Sequence, residues 1–114
     1  MRLRDFKVLT FDCYGTLVDW ETGMIDALAP LLRRVGRPIA RDAILEAHAR
    51  HESAQQRRTP AMRYRDLLAV VHKRLAEEWG AAAPWEESLA YGGSVPAWPA
   101  FSDSAAALGY LKRH

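Results

Sequence analysis

The first apolar run, Lys7-Val8-Leu9-Thr10-Phe11-Asp12, shows no alternation and is rich in β-branched and aromatic residues. That pattern predicts a short parallel strand over residues 7–12, covered on both faces and ending in an acid. Tyr14-Gly15-Thr16 breaks it, with Gly15 as the turn residue. From Gly23 the period becomes helical: Met24, Ile25, Leu28, Leu31, Leu32 and Val35 share one face. Gly36 and Pro38 are stop signals, and Pro30 predicts a kink or a split inside the run.

A second, more polar helix is expected over 41–57, anchored only by Ile44, Leu45 and Ala47 and closed by Thr59-Pro60. A third, over 62–79, carries the stripe Leu67, Leu68, Val71, Leu75 and ends at Gly80. Pro84 suits a first helical position, with Glu86 and Glu87 in the first turn of a short helix to Tyr91. Residues 92–101 form a Gly/Pro/Trp loop. Ser102 is the expected N-cap of a last helix through Ala105, Leu108 and Leu111. A fully apolar parallel strand needs neighbours on both edges, and no second strand follows. The expected fold class is therefore α/β. This chain would supply the N-terminal part of a longer protein and be mostly helical as it stands.

Composition refines this picture slightly. Hydrophobic residues make up 49% and charged residues 26%, a globular balance. Net charge is only +2, which gives no case for a nucleic-acid partner. The arginine clusters Arg33–Arg34, Arg57–Arg58 and Arg63/Arg65 read as solvated helix faces or, more sharply, as an anion-attracting rim. Cys13 is the only cysteine, which excludes an intrachain disulfide and fits a reducing cytoplasm. Strand alternation would turn Cys13 to the core, away from Asp12. The apolar run 8–11 is too short for a signal peptide or a membrane span, so a cytoplasmic protein without a membrane partner is expected. His48 and His51 could share a helix face, but a pair without a third ligand is no metal site. Trp20 is the tryptophan best placed to border a site. Trp79, Trp85 and Trp98 read as core or interface aromatics.

The chemistry-bearing stretch is residues 8–17. A carboxylate at the C-terminal end of a parallel strand points into the crevice where α/β sheets bind ligands. There Asp12 could attack an electrophile and form an ester. Gly15 lets the chain turn sharply, and Thr16 offers a hydroxyl and an N–H to orient the carboxylate or an anionic substrate.

The run Phe11-Asp12-Cys13-Tyr14-Gly15-Thr16-Leu17 after an apolar strand resembles the first signature of the haloacid dehalogenase superfamily. The resemblance implies that Asp12 is the nucleophile. The superfamily's phosphatases carry a second aspartate two residues on, where this chain has Tyr14; that acid protonates an alkoxide leaving group, and magnesium offsets charge repulsion. A halide leaves without a proton, so the L-2-haloacid dehalogenase branch needs neither the acid nor a metal or cofactor. Asp-x-Tyr-Gly-Thr-Leu is what that branch looks like. The implied mechanism is displacement of halide from C2 of a small carboxylate by Asp12, followed by hydrolysis of the ester to the 2-hydroxy acid with inversion.

By the same resemblance, residues 1–17 form the first core strand and nucleophile loop of a Rossmann-like core. Residues 18–93 form a helical cap, and 94–114 the return linker and a core helix. Tyr14, Thr16 and Trp20 are the implied substrate-binding residues near the nucleophile. The family's cap arginine falls between Ala47 and Arg50, where Ala47 or His48 matches as well as Arg50; Arg50 is the candidate at that position, and Arg57, Arg63 and Arg65 are others. The family completes its site with a Ser or Thr, a Lys and an acidic or amide pair from later in the chain, so these 114 residues alone are expected to be inactive. Two alternatives stand beside this reading: a phosphatase of the same superfamily, and a non-catalytic truncated remnant. An exposed strand edge would dispose such a chain to form a homodimer or aggregate.

Overall fold

The computed structural model describes residues 2–114. Five α-helices follow in order: α1 (Trp20–Val35), α2 (Arg41–Arg58), α3 (Tyr64–Glu78), α4 (Trp85–Gly92) and α5 (Ser104–Arg113). Single 3-10 turns lie at Leu3–Asp5 and Val95–Ala97. The α/β expectation is corrected: among the described residues there is no strand and no sheet, and the domain is all-helical. Residues 7–12 run without a ladder, and β-type pairing is confined to isolated bridges, Tyr14 with Val18 and Val18 with Ala100. The physical reason is the one that made the run unusual. An apolar segment can be extended by local preference, but it becomes a strand only when a neighbour takes up its peptide groups.

Each helix has identifiable ends. Asp19 caps α1, its Oδ1 accepting from the Thr22 N–H at 3.3 Å and its Oδ2 from the Thr22 hydroxyl at 2.8 Å. Helix α1 therefore starts ahead of the expected Gly23. It stops at Gly36, whose φ of +74° is the left-handed conformation that favours glycine. Pro30 does not split the run: α1 is continuous through it. It lies on the exposed face, as does Asp26, whose carbonyl loses its helical partner to the proline ring. Pro84 precedes α4 instead of opening it, and α5 begins after Asp103, so Ser102 is not its N-cap.

The core is built by α1 to α4. Met24, Leu28 and Leu31 of α1 meet Ile44 and Ala47 of α2 and Leu67, Leu68, Val71 and Leu75 of α3 in one cluster. Helix α3 is central, packing on α2 and on α4. The α3–α4 crossing is close: a Cβ at Gly92 would collide with the Arg65 carbonyl oxygen. Trp98, from the return segment, seals the start of α1 by lying over Gly23, where a Cβ would meet the indole. Trp79 is buried as expected, whereas Trp85 is exposed. Among the residues whose burial is described, the buried ones all fall between Gly23 and Ser104. The radius of gyration, 17.2 Å, exceeds the ~13 Å of a compact chain of this length. The N-terminal segment is exposed throughout, and only Ser104 of α5 is buried.

Candidate functional site

The loop that carries Asp12 is held by its own backbone. The N–H groups of Thr16, Leu17 and Val18 converge on the Cys13 carbonyl at 3.2, 2.8 and 3.0 Å. The Gly15 N–H returns to the Val18 carbonyl at 3.0 Å. This tight double turn needs a left-handed residue, and Gly15 supplies it with φ +82°. Thr16 then stands over Asp12: its hydroxyl donates to Asp12 Oδ2 at 3.1 Å. The Asp12 carboxylate is exposed and oriented, and a carboxylate so placed is free to meet a solute.

The return segment clamps this loop from the other side. The Asp19 N–H donates to the Pro99 carbonyl at 2.8 Å, and the Leu17 carbonyl accepts both the Phe101 N–H at 3.1 Å and the Ser104 hydroxyl at 2.8 Å. The indole of Trp20 lies against the open side of Gly15, its Nε1 3.4 Å from where a Cβ would be. Cys13 is exposed, not turned to the core as alternation implied, because the segment has no sheet to define two faces.

Tyr14 joins the loop to the helices. Its ring centroid is 5.9 Å from Tyr64 and 6.2 Å from Trp98, the latter edge-on. Tyr14, Tyr64 and Arg65 line a hollow of about 290 Å³ closed by Gly92, Gly93, Val95 and Pro96. Arg65 is exposed there, and Gly92 and Gly93 keep the wall thin beside it.

Arg50 is engaged elsewhere. It grips Glu78 with Nη1–Oε1 at 2.7 Å and Nη2–Oε2 at 3.2 Å, and Glu46 with Nε–Oε1 at 3.2 Å. Hydrogen bonds to these two carboxylates hold its guanidinium well above its ordinary pKa and push that of Glu78 down. The structure thus sets Asp12, Thr16 and Trp20 around one loop, with Tyr14 reaching from it to the hollow, whereas Arg50 pins α2 to the end of α3. Arg65 is the arginine that lines the hollow.

Sequence reasoning missed the polar thread behind the Tyr14 hollow. Tyr64 neighbours Glu52, and burial together with that carboxylate pushes its hydroxyl pKa up. Burial pushes Glu52 up, but His48 and the Tyr64 hydroxyl outweigh it and leave the carboxyl below its usual value. His48 Nδ1 is 3.4 Å from Glu52 Oε2, and its Nε2 is 2.7 Å from the Tyr91 hydroxyl oxygen. His72 stacks at 5.3 Å on Tyr91, and its Nδ1 is 2.8 Å from Ser88 Oγ. A His–Ser pair can suggest nucleophilic chemistry, but Ser88 and His72 are closed to solvent, so this pair is structural. His48 and His51 do not converge: His51 Nε2 faces Glu78 at 3.2 Å. No helix among the described residues is long and apolar enough to cross a membrane. No protein-family model matches the chain, and no curated protein matches it.

Proposed function

We propose that the chain is a haloacid-dehalogenase-type hydrolase of the L-2-haloacid branch, acting on a small 2-haloacid in the cytoplasm. The observation that carries this reading is the geometry at Asp12: an exposed carboxylate oriented by Thr16 at 3.1 Å, on a turn made by Gly15, with Tyr14 at the next hollow. In the first half-reaction a carboxylate oxygen of Asp12 attacks C2 of the substrate and the halide leaves with the bonding electrons. Water then adds to the ester carbonyl. The 2-hydroxy acid departs, and the Asp12 carboxylate is regenerated with release of one proton. Neither half requires a metal or an acid two residues past Asp12, which accords with a tyrosine at that position. Arg65 supplies a cation for the substrate carboxylate at the Tyr14 hollow.

The first half-reaction needs only the nucleophile and a held substrate, so it is the step to measure. The 114-residue chain is incubated with L-2-bromopropionate, without metal, and peptides are analysed by mass spectrometry. An ester on the peptide containing Asp12, absent from Asp12→Asn, is expected. A haloacid panel that leaves Asp12 unmodified overturns the substrate. Magnesium-dependent release of phosphate from an aryl phosphate would favour the phosphatase instead.

A further inference from the structure

The hollow beside Tyr14 is bordered by two glycines that differ in what they do. At Gly92 the packing requires glycine, since a Cβ would meet the Arg65 carbonyl oxygen. At Gly93 neither backbone nor packing does. Its φ of −77° and ψ of −3° suit any residue. A Cβ there would meet the Leu89 and Ala90 carbonyl oxygens at 3.5 and 3.6 Å, which is ordinary van der Waals contact. Glycine at such a position loses more conformational entropy on folding than alanine would. What a side chain at 93 would do is enter the hollow. Its Cβ would stand 4.0 Å from Arg65 Nη2, and both residues line the same space. The wall is also tied in place. The Gly93 N–H donates to the Leu89 carbonyl at 3.0 Å. The Ser94 hydroxyl donates to the Tyr91 carbonyl at 2.6 Å and accepts from Trp98 Nε1 at 3.0 Å.

The space so kept open has a definite chemistry. Arg65 is exposed, and among the described residues no carboxylate pairs with it. Tyr14, Tyr64, Val95 and Pro96 share the lining, so an anion held by the guanidinium would rest its remainder on aromatic and apolar surface. The volume, about 290 Å³, equals the share of roughly ten water molecules, more than a methyl substituent fills. We propose that Gly93 is the specificity-determining residue of this hollow: by lacking a side chain it admits, beside Arg65, carboxylic acids that carry an aryl or branched apolar substituent. That these acids are 2-haloacids rests on the reading of Asp12 as a nucleophile; the selectivity at Gly93 does not.

The 114-residue chain is titrated with 3-phenylpropionate and with propionate, followed by NMR. The aryl acid is expected to bind at least ~tenfold more tightly, and its ring protons to show NOEs to the Gly93 Hα protons. Gly93→Leu should lose about tenfold of the 3-phenylpropionate affinity and only about twofold of the propionate affinity, with the helical circular dichroism and the urea midpoint kept. Gly93→Ala should bind both acids as the parent chain does and unfold at an equal or higher urea concentration. No binding of the aryl acid, no preference for it, absent NOEs, or equal losses for both acids in Gly93→Leu overturns the proposal. Alkylation of Asp12 by L-2-bromo-3-phenylpropionate reports on the other reading. Size-selective binding with Asp12 unmodified upholds the role of Gly93 and removes the dehalogenase assignment. Alkylation that Gly93→Leu slows no more for this acid than for L-2-bromopropionate does the reverse.

Discussion

The Tyr91 hydroxyl oxygen lies 2.7 Å from His48 Nε2, and this contact joins α4 to α2 across the buried face of α3. Tyr91 can donate to Nε2, while Nδ1 lies 3.4 Å from Glu52 Oε2 without a hydrogen bond to it. Burial pushes the Tyr91 hydroxyl pKa well up, which keeps its proton available to donate. Tyr91→Phe leaves a buried imidazole nitrogen without a partner. A loss of about 1–3 kcal/mol is expected from urea unfolding. An unchanged midpoint would mean that water already serves His48.

Stability should fall on mild acidification, through His72. Burial, aided by Arg34 and Lys73 and opposed by Glu87, holds its pKa below the ordinary 6.5. The unfolded chain therefore binds more protons than the folded one as pH drops through that value. The stabilisation is complete above 6.5 and is lost below it. Thermal midpoints should decline from about pH 7.5 to about pH 5.5. His72→Gln should lower the neutral-pH midpoint and flatten the decline. A midpoint that rises on acidification contradicts the assignment. Glu52, whose pKa is lowered from 4.5, acts in the same direction but only at more acid pH.

Arg65 and Arg50 should separate cleanly. Arg65 lines the Tyr14 hollow, whereas Arg50 is tied to Glu46 and Glu78. Arg65→Met is expected to raise the half-saturating concentration of L-2-bromopropionate for Asp12 alkylation by about tenfold, with the maximal rate little changed. Arg50→Met should leave that concentration as it is. The reverse result would return the anion site to α2.

Gly92 should accept no side chain at all. The α3–α4 approach places its open side on the Arg65 backbone, which cannot move as a flexible side chain could. Gly92→Ala is expected to cost about 1–3 kcal/mol, read from denaturant midpoints, and to reshape the hollow beside Tyr14. A neutral substitution would show that the two helices can slide apart without penalty.

Much of the helical order is legible in the residues themselves. Gly36 and Gly80 both end helices with positive φ, and the Leu67/Leu68/Val71/Leu75 stripe of α3 is buried as its spacing requires. What failed needed partners. Residues 7–12 have the composition of a covered strand, but a ladder is a property of two chains, and the segment finds no neighbour. Cys13 followed the same error, because alternation has meaning only in a sheet. Around the candidate site, the Gly15 turn and the proximity of Thr16 to Asp12 are local and readable. The choice of Arg65 over Arg50 depends on how α2 and α3 rotate against each other, which local pattern does not encode. The His48–Tyr91 and His72–Ser88 pairs span 43 and 16 positions, beyond any motif.

The hydrogen bond from the Asp19 N–H to the Pro99 carbonyl has a consequence for how such a chain can change. It places the entrance and the exit of the helical unit side by side, so everything between them is a cassette with adjoining ends. Cassettes of this kind can be lengthened, trimmed or exchanged at little cost in loop closure. The turn presenting Asp12 would stay where it is, while the walls around its ligand were replaced wholesale.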